Sequence, residues 1–200
     1  LGRANVDIDH VVHVVHPTEK VDATVNLLLA NPGAQTLIFA RTRSDVADIA
    51  QELSEAGFAV GALSGDMDQR ARNRALAAFK NGELVVLVAT DVAARGIDIS
   101  DLTCVIGYAA PDSPETYVHR TGRTGRAGKA GIALSLVSAL DIGNFKYLQN
   151  VNRMQIAERR LALFGDRPPN VRLGDIFDVE APDFGAPRWN MSPLSAYMVA

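Results

Sequence analysis

Short apolar runs alternate with helix-forming segments at regular spacing along most of the chain, and this rhythm constrains the fold more than any other feature. Residues 84–89 (Leu-Val-Val-Leu-Val-Ala) are apolar without alternation, as a strand covered on both faces must be. Further strands are expected at 10–16, 35–40, 58–63, 103–108 and 131–137, with helices at about 18–29, 44–56, 68–80, from 113 onward, and at 140–151. The punctuation agrees: Asn31-Pro32-Gly33 and Gly57 stop helices, Asn81-Gly82 closes another, and Ser113-Pro114-Glu115 opens one. Parallel neighbours need crossover connections and the helices are those crossovers, so the expected fold is α/β, a parallel sheet with helices on both faces. Residues 84–89 are expected at its centre and 10–16 at an edge. Ligands of such sheets bind beyond the C-terminal strand ends. The loops there carry Arg41-Thr42-Arg43, Ser64-Gly65-Asp66, Thr90-Asp91 and the Asp112-Ser113 turn.

The most chemically loaded stretch follows that turn. In residues 117–128, Arg120, Arg123 and Arg126 recur every third residue with glycines at the same interval, and no Asp or Glu occurs between Glu115 and Asp141. Guanidiniums without local carboxylates, on backbone that glycine lets a ligand approach, are suited to a polyphosphate. A solvated basic turn is the bland alternative. The 200-residue chain has a net charge of −3 and a sequence pI near 5.8, which excludes coating of nucleic acid by bulk charge and requires a focused patch. His10, His13 and His16 do not form a metal site on a strand, because His13 points away from the other two. Cys104 is the single cysteine, so no internal disulfide is possible. With no signal-like segment and no apolar run near ~18 residues, the chain reads as cytoplasmic and not membrane-bound. It begins at Leu1, which suggests processing or excision from a longer chain.

Thr90-Asp91-Val92-Ala93-Ala94-Arg95-Gly96-Ile97-Asp98, followed by His119-Arg120-Thr121-Gly122-Arg123-Thr124-Gly125-Arg126, resembles the motif pair of the second RecA-like domain of DEAD-box RNA helicases. Leu37-Ile38-Phe39-Ala40-Arg41-Thr42 and Ser64-Gly65-Asp66-Met67-Asp68-Gln69-Arg70-Ala71-Arg72 are similar to two further motifs of that domain. The resemblance spans residues 8–150 and implies roles residue by residue. Arg123 and Arg126 match arginine fingers that reach ATP held on the first domain of the same full-length chain. Asp98 and Gly96 fall in the nucleotide-contacting motif, with Asp98 matching a ribose ligand. His119 and Arg120 match residues that couple the nucleotide site to interdomain contacts, a purely structural role for Arg120 remaining open. Thr42, Gly65 and Thr90 match contacts to the phosphate backbone of RNA, single-stranded or duplex, while Gln69 and Arg72 are expected to brace that surface.

Neither G-x-x-x-x-G-K-[ST] nor Asp-Glu-Ala-Asp occurs, so the parts that cradle the β-phosphate and hold Mg²⁺ are missing from this chain, and ATP with Mg²⁺ would need the first domain. The expectation is an inactive half of an ATP-dependent RNA helicase. A non-catalytic RNA- or protein-binding module that keeps the helicase fold is the alternative. Residues 151–173 form a basic extension, expected to be helical around 154–164 and packed on the domain, and 174–200 form an irregular tail.

Overall fold

The computed structural model describes residues 8–125, 130–154 and 156–158. The described strands are β1 (Ile8–Val14), β2 (Thr36–Ala40), β3 (Val60–Leu63), β4 (Val86–Thr90), β5 (Cys104–Gly107), β6 (Gly131–Val137) and β7 (Ala157–Glu158). Between them run α1 (Lys20–Ala30), α2 (Arg43–Glu55), α3 (Gln69–Lys80), the single turn α4 (Asp91–Ala94), α5 (Pro114–Thr121) and α6 (Ile142–Val151). All strand pairs are parallel, in the order β3-β4-β2-β5-β6-β1-β7.

The uninterrupted apolar runs follow from double coverage. In β2 and β4, Ile38, Ala40, Val86 and Val88 face Val46, Ile49 and Leu53 of α2, while Leu37, Phe39, Leu87 and Ala89 face Phe79 of α3 and Ala93 of α4. Every residue of both strands is therefore buried. A third cluster joins Val12 and Val137 to Tyr117 of α5 and to Phe145 and Leu148 of α6.

Three expectations are corrected. Residues 84–89 give an interior strand that is not the middle one: β4 is second from the edge, and β5 lies at the centre. β1 is not an edge strand, because Val11 and Val12 pair with Ala157 and Glu158 on the side away from β6. The start of the helix expected around 154–164 is not helical where it is described: α6 ends, Arg153 takes a positive φ of 53°, Ile156 is buried, and Ala157–Glu158 are extended, while 155 and 159–164 lie outside the described residues. The pull there is tertiary, since β1 offers open backbone groups and the apolar cluster offers Ile156 a seat. The sheet thus continues past the boundary drawn at 150, and the rest of the extension and the tail lie outside the described residues. His16 also leaves the strand, and its Nδ1 accepts from the backbone N–H of Thr18 to open a short 3₁₀ turn.

Candidate nucleotide and nucleic-acid sites

The sequence-predicted residues fall on two separate surfaces. Thr42 and Gly65 follow β2 and β3, and Thr90 ends β4; these strands are adjacent in the sheet, so the three stand in a row along the C-terminal edge. Thr42 caps α2 reciprocally: its Oγ1 accepts from Asp45 N–H at 3.1 Å, and its own N–H donates to Asp45 Oδ2 at 2.9 Å. Thr90 Oγ1 accepts from Ala93 N–H at 3.2 Å. A hydroxyl used as a cap acceptor keeps its own proton to donate, and that proton is what a phosphate oxygen would take. Gly65 is exposed, and a Cβ there would meet nothing within 4 Å of the chain, so no internal packing requires a glycine. Arg72 reaches from α3 to the Ala93 carbonyl (2.6 Å), tying the turn after Thr90 to the helix after Gly65. Gln69 binds Asn73 on its own helix.

The second surface is a cavity of about 250 Å³ on the flank of the sheet, lined among others by Asp91, Gly96, His119, Arg120 and Arg123. Its floor is rigid. Arg120 is 4% exposed; Nε and Nη2 donate to Asp91 Oδ1 and Oδ2, both at 2.7 Å, and Nη1 donates to the Ala109 carbonyl at 2.6 Å. Its Cζ lies 5.1 Å from the Phe39 ring centroid. Every guanidinium nitrogen of Arg120 is engaged within the chain.

Arg123 stands at the cavity wall, with Nη1 donating to the carbonyls of Ile97 (2.7 Å) and Ile99 (3.3 Å) and Nη2 to that of Ala94 (3.2 Å). It therefore holds the 94–99 loop that carries Gly96 and Asp98. Gly96 has φ +70°, the left-handed region that favours glycine. Asp98 is not in the cavity lining; its side chain is 94% exposed and meets Lys80 Nζ at 3.1 Å. Arg126 lies outside the described residues.

Glycines at the end of the arginine stretch and at the start of β6 serve the fold. Gly125 has φ +64°, and a Cβ on Gly131 would collide with Thr124 Oγ1 and the Gly125 backbone. Thr124 Oγ1 donates to the Leu102 carbonyl, and Thr124 bridges Leu102 just ahead of β5. α5 has thus carried the chain from the C-terminal edge to the opposite end of the strands. Sequence reasoning missed three contributors: Asp91 as the partner of Arg120, Arg95 as an exposed cavity residue, and Lys80 as the partner of Asp98. The first two lie inside a recognised motif; the third, 18 positions from its partner, carries no local signal.

Among the described residues no group of three His, Cys, Asp or Glu side chains could hold a metal ion, and the nearest carboxylate, Asp91, is committed to Arg120. The residues present fit a polyphosphate at the cavity and do not fit Mg²⁺. No helix of the described residues is long and apolar enough to cross a membrane.

A doubly covered parallel sheet, with capped helices along one end and arginines gathered on its flank, defines a RecA-like domain. The chain belongs to the helicase conserved C-terminal domain family, matched over residues 19–128, in its DEAD-box branch. It is 41% identical over 149 residues to the DEAD-box ATP-dependent RNA helicase CshA of Streptococcus pneumoniae, covering 74% of this chain and 28% of that one. The crystal structure of a DEAD box protein from Methanococcus jannaschii is 36% identical with a TM-score of 0.72, covering 78% of this chain and 43% of that one. Saccharomyces cerevisiae Dbp5, in a structure with RNA and ADP BeF3, is 30% identical with a TM-score of 0.72, covering 78% and 42%. The chain spans well under half the length of these relatives.

Proposed function

We propose that this chain is the second RecA-like half of an ATP-dependent RNA helicase, completing an ATP site on another RecA-like domain and holding RNA by its backbone. The observation that carries the reading is the shared cavity, which brings together Gly96, His119, Arg120 and Arg123 from two motifs more than twenty positions apart. Bound on the other domain with Mg²⁺, ATP supplies the phosphoryl group whose transfer to water drives the cycle. The chain's own residues act on charge and position. Arg123 exchanges its carbonyl partners for phosphate oxygens, and such a guanidinium is typically worth roughly 10³ to 10⁵ in rate. Arg126 acts as the second finger. His119 meets the facing domain at the exposed rim of the cavity. The Asp91–Arg120 pair keeps α5, which carries His119, from shifting against the turn after β4 as charge develops.

On the edge, Thr42 and Thr90 donate their hydroxyl protons and Gly65 its backbone N–H to successive phosphates, which reads no bases and makes binding largely independent of sequence. The RNA-bound yeast relative supports RNA binding by a domain of this fold. The domain works in the cytoplasm and has no membrane role. The test is to assay ATP turnover by the 200-residue chain alone and after fusion to a RecA-like first domain, with and without single-stranded RNA. The reading expects background turnover alone and RNA-stimulated turnover in the fusion; robust turnover by the chain alone would overturn it.

A further inference from the structure

The row of phosphate-facing groups does not end at β2. The next two strands in the sheet are β5 and β6, and the loops after them enclose, with the first turns of α6, a cleft of about 350 Å³. With strands ~5 Å apart, the cleft continues the row by roughly 10 Å. Its walls include Arg41, Asp112, Asp141, Asn144, Tyr147 and Leu148.

Arg41 adjoins Thr42, is exposed, and has no carboxylate within ion-pair distance among the described residues. Tyr147 is 63% exposed although its neighbour Leu148 is 4% exposed and locked into the cluster with Val12 and Phe145. A rigid helix therefore presents an aromatic side chain that the core does not use, beside an available guanidinium and in line with the phosphate row. Two carboxylates stand in the same walls: Asp112 is exposed, and Asp141 accepts from Ser138 Oγ at 2.7 Å and interacts electrostatically with Lys20. The cleft thus suits one phosphate at Arg41 and, beside it, a neutral ring that brings N–H donors.

We propose that this cleft binds the nucleotide flanking the three-phosphate path, its phosphate on Arg41, its base stacked on Tyr147, and its amino group donating to Asp112 or Asp141. The proposal rests on the RNA reading of the edge and adds what that reading lacks, a position where the base matters. Bases with an exocyclic amine (adenine, cytosine, guanine) are favoured there over uracil.

The test measures dissociation constants of this chain for one short single-stranded RNA and for versions carrying an abasic nucleotide at each position in turn. Stacking of one base is worth about tenfold or more in affinity. One abasic position should cost about tenfold, Tyr147→Ala should cost the same, and the two together no more than either alone, with Tyr147→Phe close to wild type. Because Tyr147 is exposed, unchanged thermal unfolding of both variants excludes a folding defect. Equal losses at every abasic position, or wild-type RNA affinity in Tyr147→Ala, would overturn the nucleotide cleft while leaving the phosphate row intact. The latter is also what a cleft made for a peptide would give. Failure of the wild-type chain to bind RNA would overturn both.

Discussion

Arg120 and Asp91 meet in a two-point ion pair, both contacts 2.7 Å, with the arginine buried and the aspartate partly so. The pair joins α5 to the turn after β4, so the helix bearing His119 is pinned to the strand that ends in Thr90. Removing the carboxylate leaves a desolvated guanidinium uncompensated. Asp91→Ala should therefore lower unfolding stability by about 3–5 kcal/mol in denaturant titration. Arg120→Met in the same background should recover part of that loss, because an apolar side chain of similar length carries no buried charge.

His10 gives the domain a pH dependence. It is half-buried on β1, its Nδ1 lies 2.8 Å from Tyr117 Oη, its Nε2 is buried without a partner, and burial lowers its pKa from 6.5 to about 4. The unfolded chain therefore takes up the proton first as the medium is acidified. Stability from this residue is complete above pH 6.5 and declines toward pH 4, by up to about 3 kcal/mol. His10→Gln should flatten the stability curve across that window by as much as one proton; an unchanged slope would show that His10 titrates normally.

The edge predicts a shallow salt dependence for RNA. Thr42, Gly65 and Thr90 are uncharged donors that neutralise no phosphate, so by themselves they should leave log K almost independent of log salt. Arg41 at the adjoining cleft would add a slope of about −0.7. A slope beyond that would place further cations on the strand, with Arg153, Arg159 and Arg160 the first to test by truncation after residue 151.

Most of the sheet was legible because double coverage leaves an unmistakable trace: residues 84–89 could not be a half-exposed strand, and β4 is wholly buried. Strand order was not legible, since nothing in an apolar run says which parallel neighbour it takes. The fate of 154–158 was hidden for a related reason. Its local pattern permits a helix, and the pairing of Val11 and Val12 with Ala157 and Glu158 decides otherwise. At the site, motif residues were found by type and spacing, but their division between an edge and a flank depends on α5 crossing from one end of the strands to the other. The two meanings of glycine were also indistinguishable in sequence. Gly65 borders open space, whereas Gly131 is required by Thr124 and Gly125.

Arg123 is held by three carbonyls of the 94–99 loop, so its removal should loosen that loop before any nucleotide is present. Hydrogen exchange of the amides in 94–99 should rise in Arg123→Ala, while amides in β2 and β4 stay protected. Exchange unchanged in the loop would mean that the carbonyl contacts contribute nothing to its order.

On the proposed function, the flank cavity supplies transition-state charge to ATP bound on another domain. The most direct measurement is steady-state ATP turnover, with saturating RNA, by the two-domain protein carrying Arg123→Ala. A finger role requires kcat to fall by roughly 10³ with KM for ATP changed only a few fold, since an interaction made in the transition state is lost from kcat. A loss confined to KM, or turnover near wild type, would contradict it.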